Sequence, residues 1–183
     1  MLYFTSKSIL WGVIVDKHVF IINGSGGVGK DTVCEMAARF WKVHNISSIT
    51  PIHAVARAAG WDGVKTPASR RLLSRLKEVC TEYNDLPFRY CVEQYEAFLK
   101  NDCEILFVHI REPAEIVRFR NAVRIPCAAI LVRRPLLETS RGLLGNRSDD
   151  GVAAYDYDCI FENSGTLEEL PDHVKRFFSA RLA

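Results

Sequence analysis

Four glycines and a lysine lie within the seven residues Gly24-Ser25-Gly26-Gly27-Val28-Gly29-Lys30, the part of the chain best equipped for chemistry. Backbone N–H groups can surround a polyanion only where the chain bends without β-carbons in the way, and the glycines permit that bend. Lys30 adds a compact positive charge where the bend ends. Such a cradle suits a chain of phosphates.

The flanking residues must hold this bend in place. Val19-Phe20-Ile21-Ile22-Asn23 is a short, continuously apolar, β-branched run, which predicts a strand buried on both faces. After the bend, Val33, Met36, Ala37, Phe40 and Trp41 recur at helical spacing and predict an amphipathic helix from Asp31 to about Val43. In that context Gly24-x-x-x-x-Gly29-Lys30 has the spacing of a Walker A loop. The helix start adds unpaired N–H groups and the positive end of its dipole, and Lys30 serves the β and γ phosphates of a nucleoside triphosphate. Asp31 stands where Ser or Thr normally meets Mg²⁺, and Thr32 follows one residue later. Two readings of Asp31 are open: a metal ligand, direct or through water, or an anion that simply favours the helix N-terminus.

Further along, a second strand is expected at Ile46–Thr50, then a helix over Ile52–Ala59 broken by Gly60-Trp61-Asp62-Gly63. Leu72, Leu73, Leu76, Val79 and Cys80 mark one helix, and Phe88, Cys91, Val92, Tyr95, Phe98 and Leu99 the next. Ile105–Ile110 reads as a strand, Pro113–Asn121 as a short helix, and Ala128–Val132 and Cys159–Phe161 as two more strands. Thr166 and Glu169 have the spacing of a capping box for a last helix, whose start Pro171 can shift. Strands alternating with helices imply an α/β three-layer sandwich, a mainly parallel sheet with helices on both faces. Arg133, Arg134, Arg141 and Arg147 crowd with glycines and polar residues between 133 and 150, a composition suited to a small arginine-rich lid.

The chain has 183 residues, 48% apolar and 25% charged, which fits one globular domain with a sizeable core. A formal net charge of +2 provides no global field for nucleic acid or an anionic membrane. The six cysteines are scattered without metal-ligand spacing, as expected for reduced thiols of a cytoplasmic protein. Ser8–Val15 is apolar but far shorter than the ~20 residues that span a bilayer, and no small-residue cleavage site follows it. Residues 1–16 therefore read as an extension or an added edge strand, and 17–183 as the domain. Monomer and homodimer both remain open.

These residues resemble a known family. Gly29-Lys30-Asp31-Thr32 is similar to the loop of phage-type deoxynucleoside monophosphate kinases and animal-type phosphomevalonate kinases. His109-Ile110-Arg111-Glu112-Pro113-Ala114-Glu115 resembles the Asp-Val-Arg-Phe-Pro-Asn-Glu segment of the deoxynucleotide kinases, and Gly60-Trp61-Asp62-Gly63 with Arg70-Arg71-Leu72-Leu73 resembles their acceptor side. Asp158–Leu167, with Asn163 and Gly165, resembles the strand and turn beside the adenine. The resemblance implies the P-loop kinase fold, ATP with Mg²⁺, and a small acceptor, a (deoxy)nucleoside monophosphate first among them. It departs at His109, where the family has Asp; either Glu112 or Glu115 substitutes, or the acceptor or chemistry differs.

Phosphoryl transfer asks mainly for positioning and charge neutralisation. Lys30, Asp31, Arg111, Arg141 and Arg147 are the expected catalytic set, with Arg133 on the nucleotide. Arg70, Arg71, Arg89, Arg111 and Glu112 are expected around the acceptor; ordinary helix-surface charge is the rival for Arg70 and Arg71. Trp61 and Asp62 either meet an acceptor ring or close the helix pair, and His109 reads as a hydrogen-bonded core residue. Tyr155-Asp156-Tyr157-Asp158 either orders the lid or leads, exposed, into the last strand. A kinase of a non-nucleotide metabolite and an NTP-binding regulator or NTPase are the alternatives. No Asn-Lys-x-Asp guanine-reading element occurs, and the glycines do not continue as Gly-x-Gly-x-x-Gly, which disfavours a GTPase switch and a dehydrogenase.

Overall fold

The computed structural model describes residues 7–10, 13–135 and 151–182. Two short strands, β1 (Lys7–Leu10) and β2 (Val13–Asp16), pair antiparallel as a separate two-stranded sheet. β3 (His18–Asn23) runs into the glycine-rich bend, and α1 (Lys30–Ala37) starts at its lysine. There follow β4 (Val43–Ser47), α2 (Thr50–Ala58), α3 (Pro67–Asn84), α4 (Leu86–Phe98), β5 (Ile105–His109) and α5 (Pro113–Ala122). β6 (Cys127–Arg133), a 3₁₀ turn at Gly151–Ala154, β7 (Cys159–Glu162) and α6 (Leu170–Leu182) complete the described chain.

Five strands form one parallel sheet in the order β4-β5-β3-β6-β7, with β3 at its centre. Strand residues alternate between two cores even though both faces are covered. Phe20 and Ile22 of β3 and Phe107 of β5 pack with Val33, Cys34 and Ala37 of α1 and Val174 and Phe178 of α6. Val19 and Ile21, with Leu106 and Val108, pack with Tyr95 and Phe98 of α4 and Ile116 and Phe119 of α5. Each such buried side chain contributes about 1.5–3 kcal/mol. The three-layer α/β sandwich expected from the sequence is the fold observed. Because β3 lies between β5 and β6, the crevice beyond its carboxyl end is where parallel sheets of this kind hold ligands.

Two expected boundaries move. α1 stops at Ala37, six residues short of Val43, because Lys42 is already committed to β5. The amides of Glu104 and Ile105 both donate to its carbonyl, and its own amide donates to Glu104 Oε2. Trp41 reaches the core from the intervening turn, edge-on to Phe178. β4 therefore begins at Val43 rather than Ile46, and Thr50-Pro51 opens α2, a position where proline gives up no helical hydrogen bond. The Thr166–Glu169 capping box forms, with Glu169 Oε2 accepting from the Thr166 amide and Thr166 Oγ1 from the Glu169 amide.

Lys17 anchors the start of β3. Its ammonium is fully buried and donates to the carbonyls of Phe98 (2.9 Å) and Cys103 (2.7 Å), where α4 ends. Cations are favoured at a helix C-terminus, which offsets the burial that lowers this lysine's pKa. Among the described residues all six cysteines are free thiols, and no helix is long and apolar enough to cross a membrane.

Candidate nucleotide-binding site

The bend sits at the carboxyl edge of the central strand. Gly24 and Gly29 hold φ of 146° and 92°, and each is also a point of close approach. A β-carbon at Gly24 would lie 2.4 Å from the Val132 carbonyl oxygen of β6, and one at Gly29 2.4 Å from Asn163 Nδ2. The neighbouring strands thus require bare backbone here whatever the ligand. Gly29 precedes α1, and its carbonyl accepts the first helical bond from Val33 (2.9 Å). Lys30 folds back over the bend, its ammonium donating to the carbonyls of Gly24 and Ser25, the latter at 2.9 Å. An ammonium held over the backbone of the bend, beside the positive end of a helix, is an arrangement able to receive phosphate oxygens.

Two asparagines pin the bend. Asn23, fully buried at the end of β3, accepts from the Gly24 amide (2.8 Å) and donates to the Arg111 carbonyl (3.0 Å) and the Tyr157 hydroxyl (2.7 Å). The Tyr157 hydroxyl in turn donates to the Val152 carbonyl (2.9 Å), and burial pushes its pKa up to about 12. In Tyr155-Asp156-Tyr157-Asp158, which leads into β7, the two tyrosines are half-buried and the two aspartates exposed. Tyr155 and Asp158 both bond Arg120 of α5, and Asp158 Oδ2 accepts from the Ala129 amide (2.6 Å). Asn163 follows β7; its amide donates to the Arg133 carbonyl (2.7 Å) and its side chain to the Val28 carbonyl (2.9 Å). Sequence reasoning missed Asn23 altogether. A polar residue closing an apolar strand directly before a phosphate loop was the one available signal.

His109 ends β5 beside α1, with 12% of its side chain exposed. Its Nε2 lies 3.0 Å from Asn45 Oδ1 and 3.6 Å from Cys34 Sγ, and its Nδ1 faces Asp31 Oδ1 at 3.9 Å. Burial above all pushes its pKa down to about 4; Lys30 and Arg111 push the same way, and Asp31 opposes them. The ring is neutral at pH 7. Burial likewise drives the Cys34 thiol far up, so no thiolate forms beside it. Asp31 itself is 87% exposed in the first turn of α1, and Thr32 is half-buried next to it.

The other expected residues divide. Arg111 follows β5 and gives its carbonyl to Asn23, within the field of His109. Glu112 binds Lys77 of α3 (2.6 Å) through Oε1, while Oε2 is buried without a partner. Arg133 ends β6 with an exposed side chain, and Gly165 lies in the turn against Glu169. Trp61 and Asp62 shape their own turn: the indole donates to the Val64 carbonyl (3.0 Å) and lies tilted against His53, and Asp62 Oδ1 accepts from the Val64 amide (2.9 Å). Trp61 packs against Ile52 and Ala56 of α2 and Leu73 of α3. Arg70 and Arg71 are exposed on α3, and Arg89 is exposed on α4, 3.9 Å from Glu93. Arg141, Arg147 and residues 136–150 of the expected lid lie outside the described residues.

No family model and no curated protein matches the sequence. Solved structures do match it. TT1252 from Thermus thermophilus superposes with a TM-score of 0.52 at 19% identity, over 91% of this chain and 98% of that one. A protein of Chloroflexus aurantiacus described as a candidate kinase gives 0.51 at 11% identity, over 90% and 96%. Thymidylate kinase from Candida albicans gives 0.50 at 12% identity, over 90% and 92%. At such identities the likeness is one of fold: this chain has the fold of the P-loop kinases.

Proposed function

We propose that this chain is an ATP-dependent phosphotransferase that carries the γ-phosphoryl group to a small acceptor, with a (deoxy)nucleoside monophosphate as the first class to test. The observation that carries the reading is the Lys30 ammonium held over the backbone of residues 24–29, at the carboxyl edge of β3 and the N-terminus of α1. The loop amides and α1 bind the phosphate chain. Lys30 leaves the Gly24 and Ser25 carbonyls for phosphate oxygens, and Asn23 and Asn163 keep the loop from yielding as it does so. Arg111, with Arg133, Arg141 and Arg147, is assigned to charge on the migrating group.

A divalent cation bound beside the loop would supply neutralising charge to the phosphate chain. Asp31, exposed in the first turn of α1, would offer a carboxylate oxygen to Mg²⁺, which takes a carboxylate and keeps several waters, and Thr32 would act at most through such a water. Acceptor binding is assigned to the space between the α2–α3 pair and the end of β5, where Arg111 and Glu112 lie.

The test begins with calorimetric titration of ATP into the protein and into Lys30→Ala. Tight binding by the former and none detectable by the latter is expected; equal affinity would refute the assignment. A coupled ADP-release screen with nucleosides, monophosphates and small phosphorylated metabolites then sorts the acceptors. His109, standing where the resembled kinases have a carboxylate, favours a second reading as an NTP-binding regulator or NTPase, and a screen in which no acceptor accelerates ADP release would select it.

A further inference from the structure

α3 carries apolar residues on two faces, and the fold uses one of them. Leu73, Leu76 and Cys80 pack with Ile52 and Ala56 of α2. Leu72, Val79 and Tyr83, seven and four residues apart along the helix, form a second stripe that is 38%, 60% and 85% exposed. Among the described residues no other element carries more than one exposed large apolar side chain. Such residues scattered singly are ordinary, whereas a stripe of three along one helix is a surface.

The charges beside the stripe are segregated. Arg70, Arg71 and Arg75 occupy the N-terminal half of α3, and Glu78 and Glu82 the C-terminal half. This order runs against the helix's own dipole, which favours acids at the start and bases at the end. Among the described residues none of the five has an ion-pair partner. A lone helix gains nothing from that order. Two copies packed antiparallel gain at both ends, because each basic half then lies along an acidic half. With Val79 beside the two-fold axis, Leu72 falls opposite the partner's Tyr83 and Arg75 opposite the partner's Glu82, and the symmetry repeats both contacts. Glu78 lies near the axis but farther round the helix than Arg75 and Glu82, at the rim. A parallel pair would set bases on bases and acids on acids.

We propose that the outer face of α3 is a self-association surface. A second copy of this chain packs its own α3 antiparallel on Leu72, Val79 and Tyr83, with Arg75 and Glu82 setting the direction. The 18 residues of α3 span ~27 Å, so the contact belongs to the small interfaces and associates in the micromolar range. Another face of α3 holds Lys77 against Glu112 (2.6 Å), so the dimer also steadies one wall of the space assigned to the acceptor.

Sedimentation velocity of the whole chain from ~1 to ~200 µM brackets such an affinity. The unaltered protein passes from monomer to dimer across that range. Val79→Asp sets a carboxylate beside the axis, facing its own copy, and stays monomeric throughout. Arg75→Glu and Glu82→Arg each weaken the dimer by about tenfold or more, since each sets like charges face to face at both symmetric contacts. An equimolar mixture of these two variants pairs opposite charges at both contacts and recovers the dimer. All three positions are exposed, and recovery in the mixture is a result that misfolded chains cannot give. A chain that stays monomeric at every concentration overturns the proposal. So does a dimer indifferent to Val79→Asp, or a mixture that recovers nothing.

Discussion

Asn23→Ala probes whether the phosphate loop is held from beneath. The side chain makes three hydrogen bonds, to the Gly24 amide, the Arg111 carbonyl and the Tyr157 hydroxyl, all in the interior. Each contributes about 1 kcal/mol net, and a buried group left without a partner costs about 1–3 kcal/mol. The Gly24 amide, at a buried residue, is the group least able to find water. A loss of about 3–4 kcal/mol follows, a shift of about 6–16 °C in the melting temperature of a domain this size. Tyr157→Phe removes only the hydroxyl and loses about 1 kcal/mol. Asn23→Asp keeps the Gly24 bond but turns a carboxylate oxygen toward the Arg111 carbonyl and adds a negative charge under the loop, so it should depress ATP affinity more than stability. Urea unfolding followed by circular dichroism, with calorimetric ATP titration, measures both effects. Asn23→Ala within 0.5 kcal/mol of the parent, or a destabilised variant with unchanged ATP affinity, would refute the claim that this residue positions the loop.

Gly24→Ala sets a β-carbon against the Val132 carbonyl as well as straining the backbone, whereas Gly60→Ala, at φ 94° with no atom within 4 Å, carries the strain alone. Thermal melts should show about 1–2 kcal/mol lost at Gly60 and clearly more at Gly24; equal losses would mean that β6 yields freely. His109 yields a pH prediction. Its folded pKa of about 4 lies below the 6.5 of an ordinary histidine, so its contribution to stability is fully present above pH 6.5 and is lost as pH falls toward 4. The loss is on the order of 3 kcal/mol or slightly more. His18 and His53 are shifted the same way, so the measurement is the difference in slope between the parent and His109→Asn; parallel slopes would refute it.

The glycine-rich bend was legible because it is local: glycines, lysine and the flanking patterns lie within about two dozen residues, and the backbone needs them in that order. The strands were legible where both faces are buried, as at Ile105–His109. β4 was not, since Val43-His44-Asn45 is half polar and its register comes from pairing with β5. Asn23 and Tyr157 are 134 residues apart, and nothing at either position announces the other. Trp61 and Asp62 kept two readings in the sequence because an aromatic beside a carboxylate serves a tight turn as well as a ligand; the bonds to Val64 are those of the turn. His109 could be read as a departure from a pattern, but its partners Asn45 and Asp31 come from two other elements that only the folded sheet brings together.

The arch of Lys30 over the Gly24 and Ser25 carbonyls makes ligand capture a swap of partners instead of the filling of an unmet need. An anion must outbid two oxygens that are already in place, which a single phosphate does poorly and a polyphosphate does well. The same arch shields the loop from stray monovalent anions, so the resting protein should tolerate chloride without surrendering the position. On the proposed function, the length of the phosphate chain would be discriminated before any base or sugar is read.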